Sequence, residues 1–115
     1  MKAEELRIGN TINYLGKHVN CTAETIYAVS KIIQPSVMYL GIPLTEEWLL
    51  NIGFEKKGNI YENWTMFTVW VNPDVFDGFI ADWADKAIRE VKYVHELQNL
   101  YFSLTGEELN LNKLL

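Results

Sequence analysis

Cysteine, long apolar runs and an apolar leader are scarce or absent in this 115-residue chain. Cys21 is the only cysteine, so no internal disulfide can form, and two histidines leave too few ligands for a structural zinc site. No apolar run approaches the roughly 20 residues that a membrane helix needs, and residues 1–7 are rich in charge. We therefore expect a reduced, soluble, cytoplasmic protein in which Cys21 is an inert small hydrophobe.

Signatures of cofactor and metal chemistry are also missing. The chain has neither a glycine-rich phosphate loop nor a dinucleotide fingerprint, and its aspartates lack the spacing of a calcium loop. The candidate for catalysis is the pair His95 and Glu96, because a histidine in a pocket can act as a general base. We expect no cofactor, no metal and no enzyme activity. A small enzyme with a His95-centred pocket is one alternative.

Positive charge is missing from residues 58–85. This segment holds five acids and no lysine or arginine, while the rest of the chain has ten acids and ten bases. The net charge of −5 therefore arises here, in a segment that is also rich in tryptophan and phenylalanine. Aromatic rings favour the centres of interfaces, and acidic surroundings steer a basic surface towards them.

This segment predicts an acidic, aromatic-rich face that binds another protein. The partner would have a basic surface, and self-association is also open. The expected residues of the face are Trp64, Trp70, Asp74, Asp77, Asp82, Trp83 and Asp85. The plain alternative is that the acids are solvated strand edges and that the rings belong to the core.

The first 33 residues predict three strands. Residues 11–15 alternate as a strand does, Gly16 and Lys17 form a tight turn, and residues 18–22 return as the partner strand. Residues 26–33 are rich in β-branched side chains and predict a third strand. The pattern resembles the opening of a small SH3-like barrel, and we expect later strands to extend the same sheet.

Nucleic acid is a less favoured partner, because the chain has no basic cluster. In this second alternative the SH3-like N-terminal part would be the binding module. Its phosphate contacts would come from Lys2, Arg7, Lys17 and Lys31.

Residues 45–52 predict a short helix. Thr45 is the N-cap candidate, Leu44 and Leu49 occupy the two positions of a hydrophobic staple, and Gly53 suits the left-handed position after the last turn. Three further strands are expected at residues 64–71, 78–83 and 87–93. The first of them is apolar on both faces, which predicts a central strand covered on both sides.

The last element is an amphipathic helix over about residues 94–104, closed by Gly106. Its apolar stripe continues backwards through Ile88 and Val91, so one helix over residues 85–104 is the alternative to a strand followed by a helix. Together the elements predict one α+β domain over residues 1–115. It has an antiparallel, partly SH3-like barrel sheet, one short helix and a C-terminal helix packed on the sheet.

Three segments carry a resemblance. Residues 43–50 (PLTEEWLL) and 93–109 (YVHELQNLYFSLTGEEL) resemble the shared signatures of a family of short proteins found in gut bacterial genomes, their phages and mobile elements. The opening LRIGN at residues 6–10 is similar to the start of that family. The family has no established activity or functional residues. The resemblance therefore implies an accessory protein of a phage or mobile element and assigns no site.

Overall fold

Two antiparallel sheets and three α-helices make up the described part of the protein. The computed structural model describes residues 3–31, 39–72 and 76–109. After a 3₁₀ turn at Ala3–Glu5, the elements in chain order are β1 Thr11–Tyr14, β2 Lys17–Asn20, α1 Ala23–Lys31, β3 Tyr39–Leu40, α2 Glu46–Ile52, β4 Glu55–Lys57, β5 Ile60–Glu62, β6 Phe67–Asn72, β7 Phe76–Trp83, β8 Lys86–Val91 and α3 Val94–Thr105. The predicted α+β class is confirmed.

The strands form two sheets rather than one barrel-like sheet. The small sheet has the order β2–β1–β3 and the large sheet the order β4–β5–β6–β7–β8. Over the described ranges neither sheet closes into a barrel, so the prediction that later strands extend an SH3-like sheet is wrong. The first hairpin is nevertheless where the sequence predicts it: Gly16 takes a φ of +88°, and its N–H donates to Asn13 Oδ1 at 2.8 Å.

The predicted strand at residues 26–33 is wrong, because Ala23–Lys31 form α1 and residues 32 and 33 lie outside the described part. The Thr22 hydroxyl accepts the Thr25 N–H at 3.2 Å, which caps the first turn. Ile26 and Val29 are three residues apart and pack in a small core beneath β1 with Cys21. Tertiary packing of this apolar stripe outweighs the strand preference of β-branched residues.

The short helix α2 is confirmed together with its caps. Thr45 Oγ1 accepts the Trp48 N–H at 3.3 Å, and Leu44 and Leu49 are both buried, as the staple requires. Gly53 takes a φ of +117°, a left-handed conformation that disfavours other residues. The Phe54 N–H then closes on the Leu49 carbonyl at 3.0 Å.

The main core lies between one face of the large sheet and the helices α2 and α3. Phe67, Val69 and Ala81 from the central strands are fully buried in it. The Phe67 ring packs edge-on against Tyr101 of α3, with 5.2 Å between the ring centroids. Leu97 completes the contact from the same helix stripe. The large sheet is therefore covered on one side by a two-helix layer.

The segment before α3 is a strand, as predicted. Ala84 and Asp85 both have positive φ and make the tight turn from β7 into β8, a geometry that suits a two-residue hairpin. The helix α3 then begins at Val94, and Gly106 closes it with a φ of +75°. Within the described residues, no helix has the length and apolar character to cross a membrane.

A buried polar joint connects the N-terminal segment to α3. We define it as Arg7, Asn10, Thr11, Gln98, Asn99 and Glu108. At its centre, Gln98 accepts the backbone N–H of Thr11 at 2.8 Å and donates to the carbonyl of Gly9 at 3.2 Å. Thr11 and Gln98 are both almost fully buried. The glutamine side chain therefore replaces water for the N–H of Thr11 in β1 and for the carbonyl of Gly9 in the turn before it.

Asn99 and Arg7 extend the polar joint towards the surface. Asn99 Oδ1 accepts from Asn10 Nδ2 at 2.8 Å and from Arg7 Nε at 3.1 Å. The Arg7 guanidinium also forms a two-pronged pair with Glu108. Residues 6–10 and 93–109 thus contact each other although they lie near opposite ends of the chain.

Candidate protein-binding face

The second side of the large sheet carries an apolar row. Ile60, Trp70 and Ile80 lie directly opposite one another on β5, β6 and β7. Each alternates with a residue buried in the main core, so all three point to the opposite side. Ile60 is 45% exposed, and Trp70 and Ile80 are half-buried. Neither hydrophobic core of the described residues includes any of the three.

Acidic side chains surround this row. By the same alternation Glu62, Asp82 and Glu90 point to the side of the sheet that carries Trp70. We define the outer face as Ile60, Glu62, Thr68, Trp70, Ile80, Asp82 and Glu90. Lys57, directly opposite Ile60, also lies on this side and pairs with Glu62. The face thus combines an apolar centre with an excess of carboxylates, an arrangement that suits a partner with a basic contact surface.

The Trp70 indole is held in one orientation on the outer face. Its Nε1–H donates to Asp82 Oδ1 at 2.7 Å across the β6–β7 pair. This bond involves an ionised acceptor and is therefore stronger than a neutral hydrogen bond. A ring that is already fixed loses little conformational entropy when a partner covers it. Trp70 is thus a rigid aromatic anchor rather than a mobile side chain.

The predicted site residues do not all converge. Trp70 and Asp82 are neighbours on the outer face, whereas Trp83 points to the other side and packs against the main core. Asp85 is exposed in the β7–β8 turn. Asp74 and the side chain of Asp77 lie outside the described part of the chain. Strand alternation puts Trp83 on the same side of the sheet as Ala81 rather than Asp82, so it is not part of the outer face, and a binding role for it stays a prediction.

Trp64 is exposed outside the strand in which it was predicted. Strand β6 begins at Phe67, and Asn63 Oδ1 instead accepts the N–H and the hydroxyl of Thr65, at 2.9 and 2.6 Å. Side chains of this kind compete with the sheet for backbone donors and produce a bend. Trp64 is 79% exposed on that bend. The expected covering of residues 64–71 on both sides is therefore wrong.

A groove lies beside the bend. It has a volume of about 290 Å³ and is lined by Gly53, Glu55, Glu62, Asn63 and Trp64. Glu62 belongs to both the groove and the outer face, so the two surfaces are continuous. Glu55 and Glu62 face each other across the β4–β5 pair, and Lys57 Nζ lies 2.6 Å from Glu62 Oε1.

Sequence reasoning did not assign five residues of the outer face and groove to the binding site: Ile60, Ile80, Glu55, Glu62 and Glu90. Their alternation with buried neighbours was available from the sequence. Their alignment with Trp70 depends on the pairing register of strands, which no local pattern specifies.

His95 is buried next to a second cleft. The cleft has a volume of about 390 Å³, and its lining includes Glu5, Arg89, Glu96 and Ser103. His95 is only 2% exposed, its Nε2 lies 3.7 Å from Glu5 Oε2, and its Nδ1 has no partner within the described residues. Burial lowers the pKa of His95, although the carboxylates of Glu96 and Glu5 oppose this shift. The imidazole is therefore neutral at pH 7.

This histidine predicts a pH-dependent stability. The unfolded chain takes up the proton of His95 near pH 6.5, whereas the folded chain does so only at lower pH. The unfolded state thus binds more protons just below pH 6.5, so the free energy of unfolding should fall as the pH drops, by at most about 1.4 kcal/mol per pH unit for one proton. A His95→Phe variant, measured by urea unfolding between pH 7.5 and 5, should show a flatter profile. An unchanged slope would contradict this assignment.

Other reactive groups are occupied or inert. Burial raises the pKa of the Cys21 thiol to about 11, so the thiolate is scarce at neutral pH. In the nucleic-acid alternative Arg7 is one of four required bases, but its guanidinium is engaged in the polar joint. Across residues 3–31, 39–72 and 76–109, no three histidine, cysteine or carboxylate side chains are grouped to hold a metal ion.

The fold and site together define an α+β protein whose large sheet is covered by helices on one side and carries an open, acidic outer face on the other. No protein-family model, curated protein or solved structure matches the chain.

Proposed function

We propose that this protein is a non-enzymatic binding module whose outer face docks onto another protein with a basic contact surface. The observation that carries this proposal is the registered row of Ile60, Trp70 and Ile80, which lies outside both cores. An aromatic ring at the centre of a patch, with polar groups around it, is the usual composition of an energetic hot spot.

The charges around the row support a basic partner. Glu62, Asp82 and Glu90 contribute three carboxylates, and Asp85 adds a fourth at the adjoining turn. Lys57 offsets one of them, so the face keeps a net negative charge. Such charge mainly accelerates association and suppresses acidic competitors, so the binding rate should fall as the salt concentration rises. The apolar row would then supply most of the affinity.

The resemblance of residues 6–10, 43–50 and 93–109 supports a role as an accessory protein of a phage or mobile element. In the described structure these segments are scaffold: the first and third form the polar joint, and the second provides α2. The binding function would then be carried by the outer face, which residues of β5 to β8 supply.

The catalytic alternative has less support. It rests on His95 and its cleft, where the Nε2 to Glu5 distance of 3.7 Å exceeds a hydrogen bond and the hydroxyl of Ser103 donates to the Asn99 carbonyl at 2.9 Å. A nucleophile poised by the histidine is therefore not among these contacts.

The test compares two matched variants in a capture experiment. Ile60→Lys places a positive charge on the outer face, whereas Ile8→Lys makes the same change at an exposed isoleucine of the N-terminal segment. Tagged chains would be incubated with nuclease-treated lysate of the source organism, and recovered proteins would be quantified by mass spectrometry. We expect a basic protein to be recovered with the wild type and with Ile8→Lys. Ile60→Lys should recover roughly 10-fold less of it, the effect of losing one interface residue of intermediate importance to the affinity.

Two results would contradict the proposal. Equal recovery by both variants would place the contact elsewhere on the molecule. Recovery that occurs only without nuclease would favour the nucleic-acid alternative. Sedimentation of the purified chain over a range of concentrations would show separately whether the partner is a second copy.

A further inference from the structure

The groove beside Trp64 has the chemistry of a subsite for one side chain. Its walls are the exposed indole of Trp64 and the carboxylates of Glu55 and Glu62. An indole face attracts a cation, and each carboxylate provides two acceptor oxygens. A guanidinium group fits both, since it stacks on aromatic rings and donates in a fork.

Side-chain hydrogen bonds fix the backbone of the bend that carries Trp64. The bend is fixed by Asn63 and Thr65, and Thr65 Oγ1 also accepts the N–H of Phe67 at 3.1 Å. Asn63 Nδ2 is a further anchor, because it donates to the hydroxyl of Tyr101 on α3 at 3.3 Å. The backbone position from which the exposed indole projects is therefore fixed by contacts that reach the core.

The two carboxylates are like charges on directly opposed residues of β4 and β5, an arrangement that destabilises a strand pair. Lys57 reduces this repulsion by pairing with Glu62. The pKa of Lys57 is raised, mainly because Glu62 accepts a hydrogen bond from its ammonium group. Glu55 has no ion pair within the described residues. One carboxylate is thus occupied by an exposed lysine, and the other is free to accept.

We propose that the groove receives an arginine side chain of the partner protein, and that Lys57 occupies Glu62 as an internal competitor until that arginine arrives. This inference rests on the proposed function, because it assigns a specific anchor to the partner whose surface covers the outer face. The arginine would stack on Trp64 and bind Glu55 and Glu62, displacing the ammonium group of Lys57 to water.

The experiment uses the full chain and a small probe. N-acetyl-arginine methylamide would be titrated while the indole N–H resonance of Trp64 is followed by NMR, with the resonance assigned from a Trp64→Phe variant. N-acetyl-citrulline methylamide, which has nearly the same shape without the charge, is the control. We expect saturable shifts with a dissociation constant of roughly 1–10 mM for the arginine probe, and none for citrulline.

Matched lysine variants make the test specific. Lys57→Gln should tighten binding of the arginine probe by up to about 5-fold, because the probe no longer competes with an exposed surface ion pair for Glu62. Lys56→Gln removes the same charge from the adjacent residue, but Lys56 pairs with Glu46 on α2, so this variant should leave the affinity nearly unchanged. Glu62→Gln should weaken binding several-fold.

Equal shifts from citrulline and arginine, or equal effects of Lys57→Gln and Lys56→Gln, would overturn the inference. If the arginine probe does not bind but Ile60→Lys still abolishes capture, the assignment of the groove as an arginine site is wrong and the proposed binding function of the outer face is retained. If the arginine probe binds but no protein is captured, the groove does bind a guanidinium group, and the proposal that the chain binds a protein partner is wrong.

Discussion

Replacement of Gln98 with alanine should lower the free energy of unfolding by about 2–4 kcal/mol, because the buried N–H of Thr11 loses its acceptor and a buried side chain is removed. The amide of Gln98 accepts the N–H of Thr11 and donates to the carbonyl of Gly9. A buried backbone donor left without a partner costs about 1–3 kcal/mol, and the space left by the side chain adds a cavity.

Ser103→Ala is the control for this change. Ser103 lies on the same helix but is exposed, and its hydroxyl donates within the helix to the carbonyl of Asn99. Its replacement should change stability by less than about 0.5 kcal/mol. Urea unfolding followed by circular dichroism would compare the two variants. Equal stability of Gln98→Ala and the wild type would mean that water substitutes for the glutamine and that the polar joint does not hold the small sheet.

Phe67→Ala should lower the free energy of unfolding by about 3–5 kcal/mol. The ring is fully buried in the main core and packs against Tyr101 of α3 and Phe54, so its removal leaves a cavity between sheet and helix. The resulting protein would be close to the stability limit of a domain of this size.

Thr68→Ala is the matched control on the same strand. Thr68 is the next residue and points to the outer face, so its truncation should cost less than about 1 kcal/mol. Thermal and urea unfolding of both variants would determine which side of the large sheet is structural. Similar losses for the two would contradict the assignment of the outer face as free of core packing.

The elements that local chemistry determines are the ones that the sequence predicts well. The helix α2 has its N-cap at Thr45, its staple and its Gly53 within ten consecutive residues, so no distant contact was needed to find it. The helix α1 was missed because its cap signal, Thr22 with Thr25, is weak beside a run of β-branched residues. Packing of Ile26 and Val29 against the small sheet determines its conformation, and that contact is not local.

The candidate site was predicted only in part for the same reason. The acidic, aromatic character of residues 58–85 led to Trp70 and Asp82, which do contact each other. Ile60 and Ile80 join them only through the register of three strands, which depends on turns and on the packing of the other face. The bend at Asn63 and Thr65 moved Trp64 out of the sheet through side-chain hydrogen bonds that compete with strand pairing.

The polar joint also sets a delay during synthesis. Asn10 and Asn99 bind each other although 89 positions separate them in the chain. At a translation rate of about 5–20 residues per second, roughly 4–18 s pass between the two residues. A two-stranded hairpin is marginal alone, so β1 and β2 wait through this interval with unfilled polar groups at Asn10 and Thr11. The first hairpin therefore gains its contacts with α3 only after nearly all of the chain has been made.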